Sequence, residues 1–280
     1  MRVLSSARPQ GQLHHFSNGV GAELVGAVPV PLATLKKYLP EGYIPSPPPG
    51  APEGFGALTQ ASVRYATSAL DGGADAGELI NTFWLVAVDP PPWAQTLLGL
   101  EGARAPLQAY VLEVHTNSKV FYHAMLDAGF PIKFRAGITF SELSGGGLAV
   151  TTPGVVGARG FPLGADPQEM PSPNGLNVVL WHQSSRGTAA VHIFNTPATL
   201  NPSAGTLHSP PGSCWGGLLR DAAGLPGLAC DDVAPDTTAS VAPPGWSCSL
   251  AQGFVSHYPG SNNFDVYLFH HGDDVAAFTR

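Results

Sequence analysis

The spacing of apolar positions changes several times along this chain, and each change marks an element. Leu79-Ile80-Asn81-Thr82-Phe83-Trp84-Leu85-Val86 is a run of strand formers that Asp89-Pro90-Pro91-Pro92 stops, which predicts a strand over 78–88. A second strand is predicted over 56–66. Over 108–115, strict alternation sets Tyr110, Leu112 and Val114 on one side and Glu113 and His115 on the other. The period then lengthens. Val120, Phe121, Ala124, Met125 and Ala128 recur at helical spacing, Thr116, Asn117 or Ser118 can cap that helix, and Gly129 and Pro131 end it. Period two returns where Phe134, Ala136, Ile138 and Phe140 alternate with Lys133, Arg135, Gly137 and Thr139. Ser144-Gly145-Gly146-Gly147 then turns the chain into a strand over 148–152.

The remaining pattern is weaker. Residues 1–15 read as a loose arm, and 16–30 hold a first strand. In 31–39 a short helix opens on Pro31 and carries Leu32, Leu35 and Leu39 on one face. Strands are predicted over 176–182, 188–195, 255–258 and 264–271. The turn-rich stretch 196–250 shows no periodicity that orders it. With no repeat, charge block or linker, residues 1–280 read as a single β-rich α+β domain with a few short helices.

Composition sharpens this picture. The chain holds 34 glycines and 28 prolines, spread rather than repeated, as many turns between short strands require. A net charge of −7 without a Lys/Arg cluster excludes nucleic acid as the expected partner. No apolar run reaches the ~18 residues of a membrane-spanning helix. The N-terminal residues lack the apolar core of a signal peptide. Cys214, Cys230 and Cys248 form no C-x-x-C pair, which argues against structural zinc. Clustered cysteines in a Gly/Pro-rich, weakly charged context suit a secreted protein with one disulfide, Cys230 to Cys248. The alternative is a cytoplasmic chain with three free thiols. His14-His15 and His270-His271 are adjacent pairs whose side chains point apart on a strand, so no metal site is predicted. No nucleophile elbow, P-loop or dinucleotide fingerprint is present, and no cofactor is expected.

Three segments resemble the acetoacetate decarboxylase family, in order. Pro31-Leu32-Ala33-Thr34-Leu35-Lys36-Lys37-Tyr38-Leu39-Pro40-Glu41 is similar to an early helix ending in a Leu/Val-Pro-Glu turn. Ala76-Gly77-Glu78-Leu79 is similar to a segment holding an active-site glutamate. The strand, helix and Gly129-Phe130-Pro131-Ile132-Lys133 run is similar to the family's aromatic-Pro-Lys-Lys motif. The resemblance covers roughly the first half of the chain. It implies a curved sheet or open barrel around an apolar pocket, with a few short outer helices. It also implies a cofactor-independent lyase acting on a small carbonyl or keto-acid substrate through a lysine imine.

In that family the first lysine after the proline forms the imine, and the second lowers its pKa. Here Ile132 fills the first slot and Lys133 the second. Carried over, Lys133 would be the nucleophile, Glu78 would move protons and Arg135 would set charge. The family also uses an arginine near the first strand, and Gly19-Val20-Gly21-Ala22-Glu23 contains none. Neighbours on a strand face opposite ways, so Lys133 reaches the first slot only through a bulge after Pro131. The alternative is a small-molecule-binding protein, or a non-covalent enzyme, that kept an apolar pocket and lost the lysine. Glu113 and His115 share a strand face, either as an acid–base pair or as a solvent-facing edge. The pattern favours the edge.

Overall fold

The computed structural model describes residues 11–47, 51–98, 107–164, 167–170, 175–210, 215–216, 218, 230–233, 245–249 and 252–270. The N-terminal strands are β1 (Gln12–Asn18), β2 (Gly21–Pro31), β3 (Ile44–Pro45), β4 (Phe55–Tyr65), β5 (Ser68–Leu70), β6 (Leu79–Asp89) and β7 (Leu107–Thr116). The middle of the chain contributes β8 (Ile132–Phe134), β9 (Thr139–Glu142), β10 (Leu148–Thr152), β11 (Val156–Pro162), β12 (Gln168–Met170) and β13 (Leu176–Ser184). The last are β14 (Gly187–Thr196), β15 (Ala198–Ser209), β16 (Cys230–Val233), β17 (Gly245–Ser249), β18 (Gln252–Tyr258) and β19 (Asn262–His270). Among the described residues, short helices with defined bounds accompany them: α1 (Leu32–Leu35), α2 (Pro92–Leu97) and α3 (Lys119–Asp127).

Register shows that several of these strands are halves of longer, bent ones. Gly21 lies opposite Tyr65, and three residues before the one and after the other Asn18 lies opposite Ser68. So β1 and β2 pair as one bent strand with β4 and β5. In the same way β18 pairs with β2 while β19 pairs with β1. The pairings trace a circuit from β13 to β14, β19, β1, the β5/β4 strand, β6 and β7, and parallel pairing of β7 with β13 returns it to its start. The sheet therefore curls into a barrel. The expected curved, β-rich sheet with few short helices is what the chain forms.

Two hydrophobic cores follow from strand alternation. The inner one gathers Phe16, Val63, Phe83, Val114, Leu180, Val191 and Phe264 from successive strands of the circuit. Helix α3 plugs it. Phe121 meets Phe16 on β1 and Phe264 on β19, on the far side of the circuit from β7. The outer core holds Leu24, Leu58, Trp84 and Trp181 of the barrel wall against Leu148, Val150 and Ala158 of a second layer, β9–β10–β11.

Local chemistry explains α3. Ser118 Oγ accepts from the Phe121 N–H at its start. At its end Gly129 adopts a φ of 90°, Phe130 N–H bonds Met125 O and Gly129 N–H bonds Leu126 O. That is the left-handed glycine stop that the sequence predicts. Phe121, Ala124, Met125 and Ala128 are buried, as their spacing predicts. Ser118→Ala should cost about 1 kcal/mol in chemical denaturation, the usual worth of an N-cap. An unchanged midpoint would show the cap bond to be idle.

Three expectations are corrected. Residues 12–15 are not a loose arm: they begin β1 and pair with β19. Residues 16–30 form two strands rather than one, because the chain bends at Gly19-Val20. The strand predicted over 133–140 breaks after Phe134, where Ile138 N–H turns back to Arg135 O, and resumes as β9. Within 196–250, where no order was predicted, β15 runs for twelve residues and stands next to β11, β12, β17 and β18. Cys230 lies opposite Cys248 in backbone register, yet no disulfide is present among the described residues. Cys214 lies outside them.

Candidate functional site

No hydrogen bond or ion pair joins the three residues expected to act together, and two of them have other partners. Lys133, with 58% of its side chain exposed, binds Glu113 Oε1. Glu78 instead accepts from Arg64 Nε at 2.7 Å. Arg135 is exposed and forms no ion pair with a described residue. The register explains the division. Parallel pairing sets Ile132 beside Val114 and Lys133 beside His115. Ile132 therefore shares the inner core with Phe121 and Met125, while Lys133 emerges on the outer face.

On that outer face Glu113 is the hub. Trp215 Nε1 donates to its Oε2 at 2.6 Å, Lys133 holds Oε1, and His115 Nε2 stands 3.2 Å from Oε1, out of line for a full hydrogen bond. Burial pushes the Glu113 carboxyl up, but the contacts from His115, Lys133 and Trp215 outweigh it and bring its pKa down to about 2. Trp215 also stacks on Trp84, with ring centroids 5.5 Å apart. His115 is fully buried, so the predicted solvent-facing edge is wrong. A second layer packed over this face, and alternation along one strand does not reveal layers. Next to His115, Thr82 begins a buried hydroxyl chain, bonding Ser62 at 2.9 Å and Thr152 at 2.9 Å. The cluster fastens Trp215 to the barrel wall. Its carboxylate is already saturated by donors.

The barrel interior offers different chemistry. Tyr258 donates its hydroxyl to Glu23 Oε2. Tyr65 stacks on Tyr258 at 6.0 Å and accepts from Asn262 Nδ2 at 2.9 Å. These groups converge because Glu23 and Val63 are register partners on β2 and β4, and Val63 is in turn opposite Asn81 on β6. Burial raises the Glu23 carboxyl above its ordinary pKa, and the Tyr258 bond pulls the other way. Asn18 Oδ1 and Asn81 Oδ1 are buried without a hydrogen-bond partner, and such groups mark sites where an added donor would be bound. Val25, Ala109, Val178, Ile193 and Leu200 are apolar, only partly buried, and packed against the inner core. No lysine or arginine is buried among the described residues. Sequence reasoning missed Glu23. The one signal in the sequence is an acidic residue amid the Gly/Val-rich run 19–30, the stretch in which the family resemblance implies an arginine.

No protein-family model and no curated protein sequence matches this chain. Solved structures similar to it include the enduracididine biosynthesis enzyme MppR complexed with pyruvate, at 15% identity and TM-score 0.47 over 92% of each chain. An acetoacetate decarboxylase from Legionella pneumophila subsp. pneumophila str. Philadelphia 1 is 12% identical, with a TM-score of 0.44 over 93% of this chain and 92% of that one. An acetoacetate decarboxylase-like enzyme from Sphingomonas wittichii RW1 is 12% identical, with a TM-score of 0.42 over 91% of each.

Proposed function

We propose that the barrel interior binds a small, uncharged carbonyl compound, held by hydrogen bonds and not by a lysine imine. The observation that carries this reading is the orientation of β8. Its inward residue is Ile132, and its lysine is outside, paired with Glu113. The partly buried apolar wall supplies affinity for a carbon skeleton. The Glu23–Tyr258 pair supplies a donor and a proton, and Asn18 and Asn81 supply acceptors. A carboxylate ligand would enter an interior with an acidic group and, among the described residues, without a buried cation, which is unfavourable. The chemistry open to this set is proton transfer next to a carbonyl, with Glu23 as acid or base.

An imine-forming lyase centred on Lys133, Glu78 and Arg135 is the competing reading. It is supported by the resemblance over 129–134, and it requires Lys133 to part from Glu113 and enter the barrel.

Titration calorimetry with acetylacetone and with pyruvate separates the two. The expected result is tighter binding of the neutral diketone, roughly tenfold weakened in Tyr258→Phe by loss of one hydrogen bond. Borohydride added to either mixture should leave Lys133 unmodified by peptide mapping. A borohydride-dependent adduct on Lys133, or pyruvate binding more tightly than the diketone, would overturn the proposal in favour of the imine.

A further inference from the structure

We propose that Ser17, His15 and Asp265 form a separate nucleophilic centre on the outside of the barrel, in which Ser17 accepts the acyl group of a small activated ester. Ser17 Oγ lies 3.2 Å from His15 Nε2, and His15 Nδ1 lies 2.6 Å from Asp265 Oδ1. This is the connectivity that turns a hydroxyl into a nucleophile: hydroxyl to base, base to orienting carboxylate.

Strand geometry produces it. His15 and Ser17 are two residues apart on β1, so they share a face. Asp265 is the antiparallel partner of His15 on β19. The neighbouring Phe16 and Phe264 point the opposite way, into the inner core, so the centre is separate from the Glu23 site.

The carboxylate is itself held in place. Gln12 Nε2 donates to Asp265 Oδ1 at 2.8 Å and the Tyr267 hydroxyl donates to Oδ2 at 3.3 Å. His192 sits across from Asp265 on β14, but its Nε2 is 3.0 Å from Asn177 Oδ1. With Asp265 on Nδ1, the imidazole keeps its proton there and presents Nε2 as the base. Exposure rises along the relay, from 12% for the Asp265 side chain to 37% for His15, and Ser17 is open to solvent. Asn263 lies directly opposite Ser17 in the same register, and on the other side β5 offers only Ala69. An amide across from the nucleophile is placed to donate to the developing oxyanion, and the alanine leaves room for the acyl group.

In the proposed step the Ser17 Oγ–carbonyl carbon bond forms while the hydroxyl proton passes to His15 Nε2. Collapse breaks the carbon–oxygen bond to the leaving group, which departs with its electron pair and takes that proton. Water then attacks the acyl-serine, His15 accepts the water proton, and the acid is released with Ser17 restored.

The test uses the full chain with a fluorophosphonate probe and with p-nitrophenyl acetate. One adduct on the Ser17 peptide is expected, together with a burst of nitrophenolate. His15→Gln should slow both by roughly a hundredfold, the usual worth of a general base. Asp265→Asn should slow them through the wrong tautomer. Ser17→Ala should abolish labelling with an unchanged circular dichroism spectrum. An unlabelled wild type, labelling that persists in Ser17→Ala, or His15→Gln reacting at the wild-type rate would overturn the proposal.

Discussion

Replacing Ile132 with lysine should give a protein whose stability climbs steeply with pH. The side chain at 132 faces the inner core beside Phe121 and Met125, so an ammonium there would be stripped of water. Burial lowers an amine's pKa, and buried lysines reach roughly 6. The unfolded chain keeps its lysine protonated up to about pH 10.4. The folded pKa is depressed, so the penalty is largest at low pH and fades as pH rises to the unfolded value. The slope is about 1.4 kcal/mol per pH unit between those limits. Urea denaturation at pH 7.0 and 9.5 should therefore differ by about 3 kcal/mol more in the variant than in the wild type. The neutral amine should also trap acetylacetone under borohydride. An equal loss at both pH values would place position 132 in water and remove the support for the lysine-free reading.

The second large effect belongs to Glu113. Glu113→Ala should cost about 3 kcal/mol, because it strands the indole N–H of Trp215 and leaves Lys133 and the nearby buried His115 without the carboxylate they face. In the wild type the folded pKa of about 2 lies below the ordinary value of 4.5. The stabilisation is thus complete above about pH 4.5 and is lost as pH falls towards 2. Across that window the variant's stability should fall less than the wild type's. Parallel pH profiles for the two proteins would show that Glu113 is not held ionised by its neighbours.

Much of the barrel was legible in the sequence because its signals are local. Strand β6 was bounded by a proline block, α3 by a serine cap and a glycine stop, and β7 by alternation. Strand β15 was not, because its Pro202 and Gly205 read as turn residues, while its pairing comes from β11, β12, β17 and β18, distant in sequence. The site was harder still. Alternation showed that Ile132 and Lys133 point apart, but which of them points inward is set by the partners on β7 and α3. Glu113 and His115 were seen to share a face, yet a face looks the same in sequence whether water or a second layer lies over it. The relay on β1 and β19 joins residues 250 positions apart, beyond the reach of any local pattern.

The pairing of β1 and β2 with β18 and β19 also bears on how the barrel is made. A ribosome delivers the first strands long before the last, so the wall between β2 and β14 stays incomplete until residue 270 has emerged. Until then both flanks of the growing sheet expose unpaired N–H and C=O groups. High sequence separation also makes closure slow. Assembly of this barrel is therefore a late, long-range event, and the interval before it is when the chain is most prone to self-association.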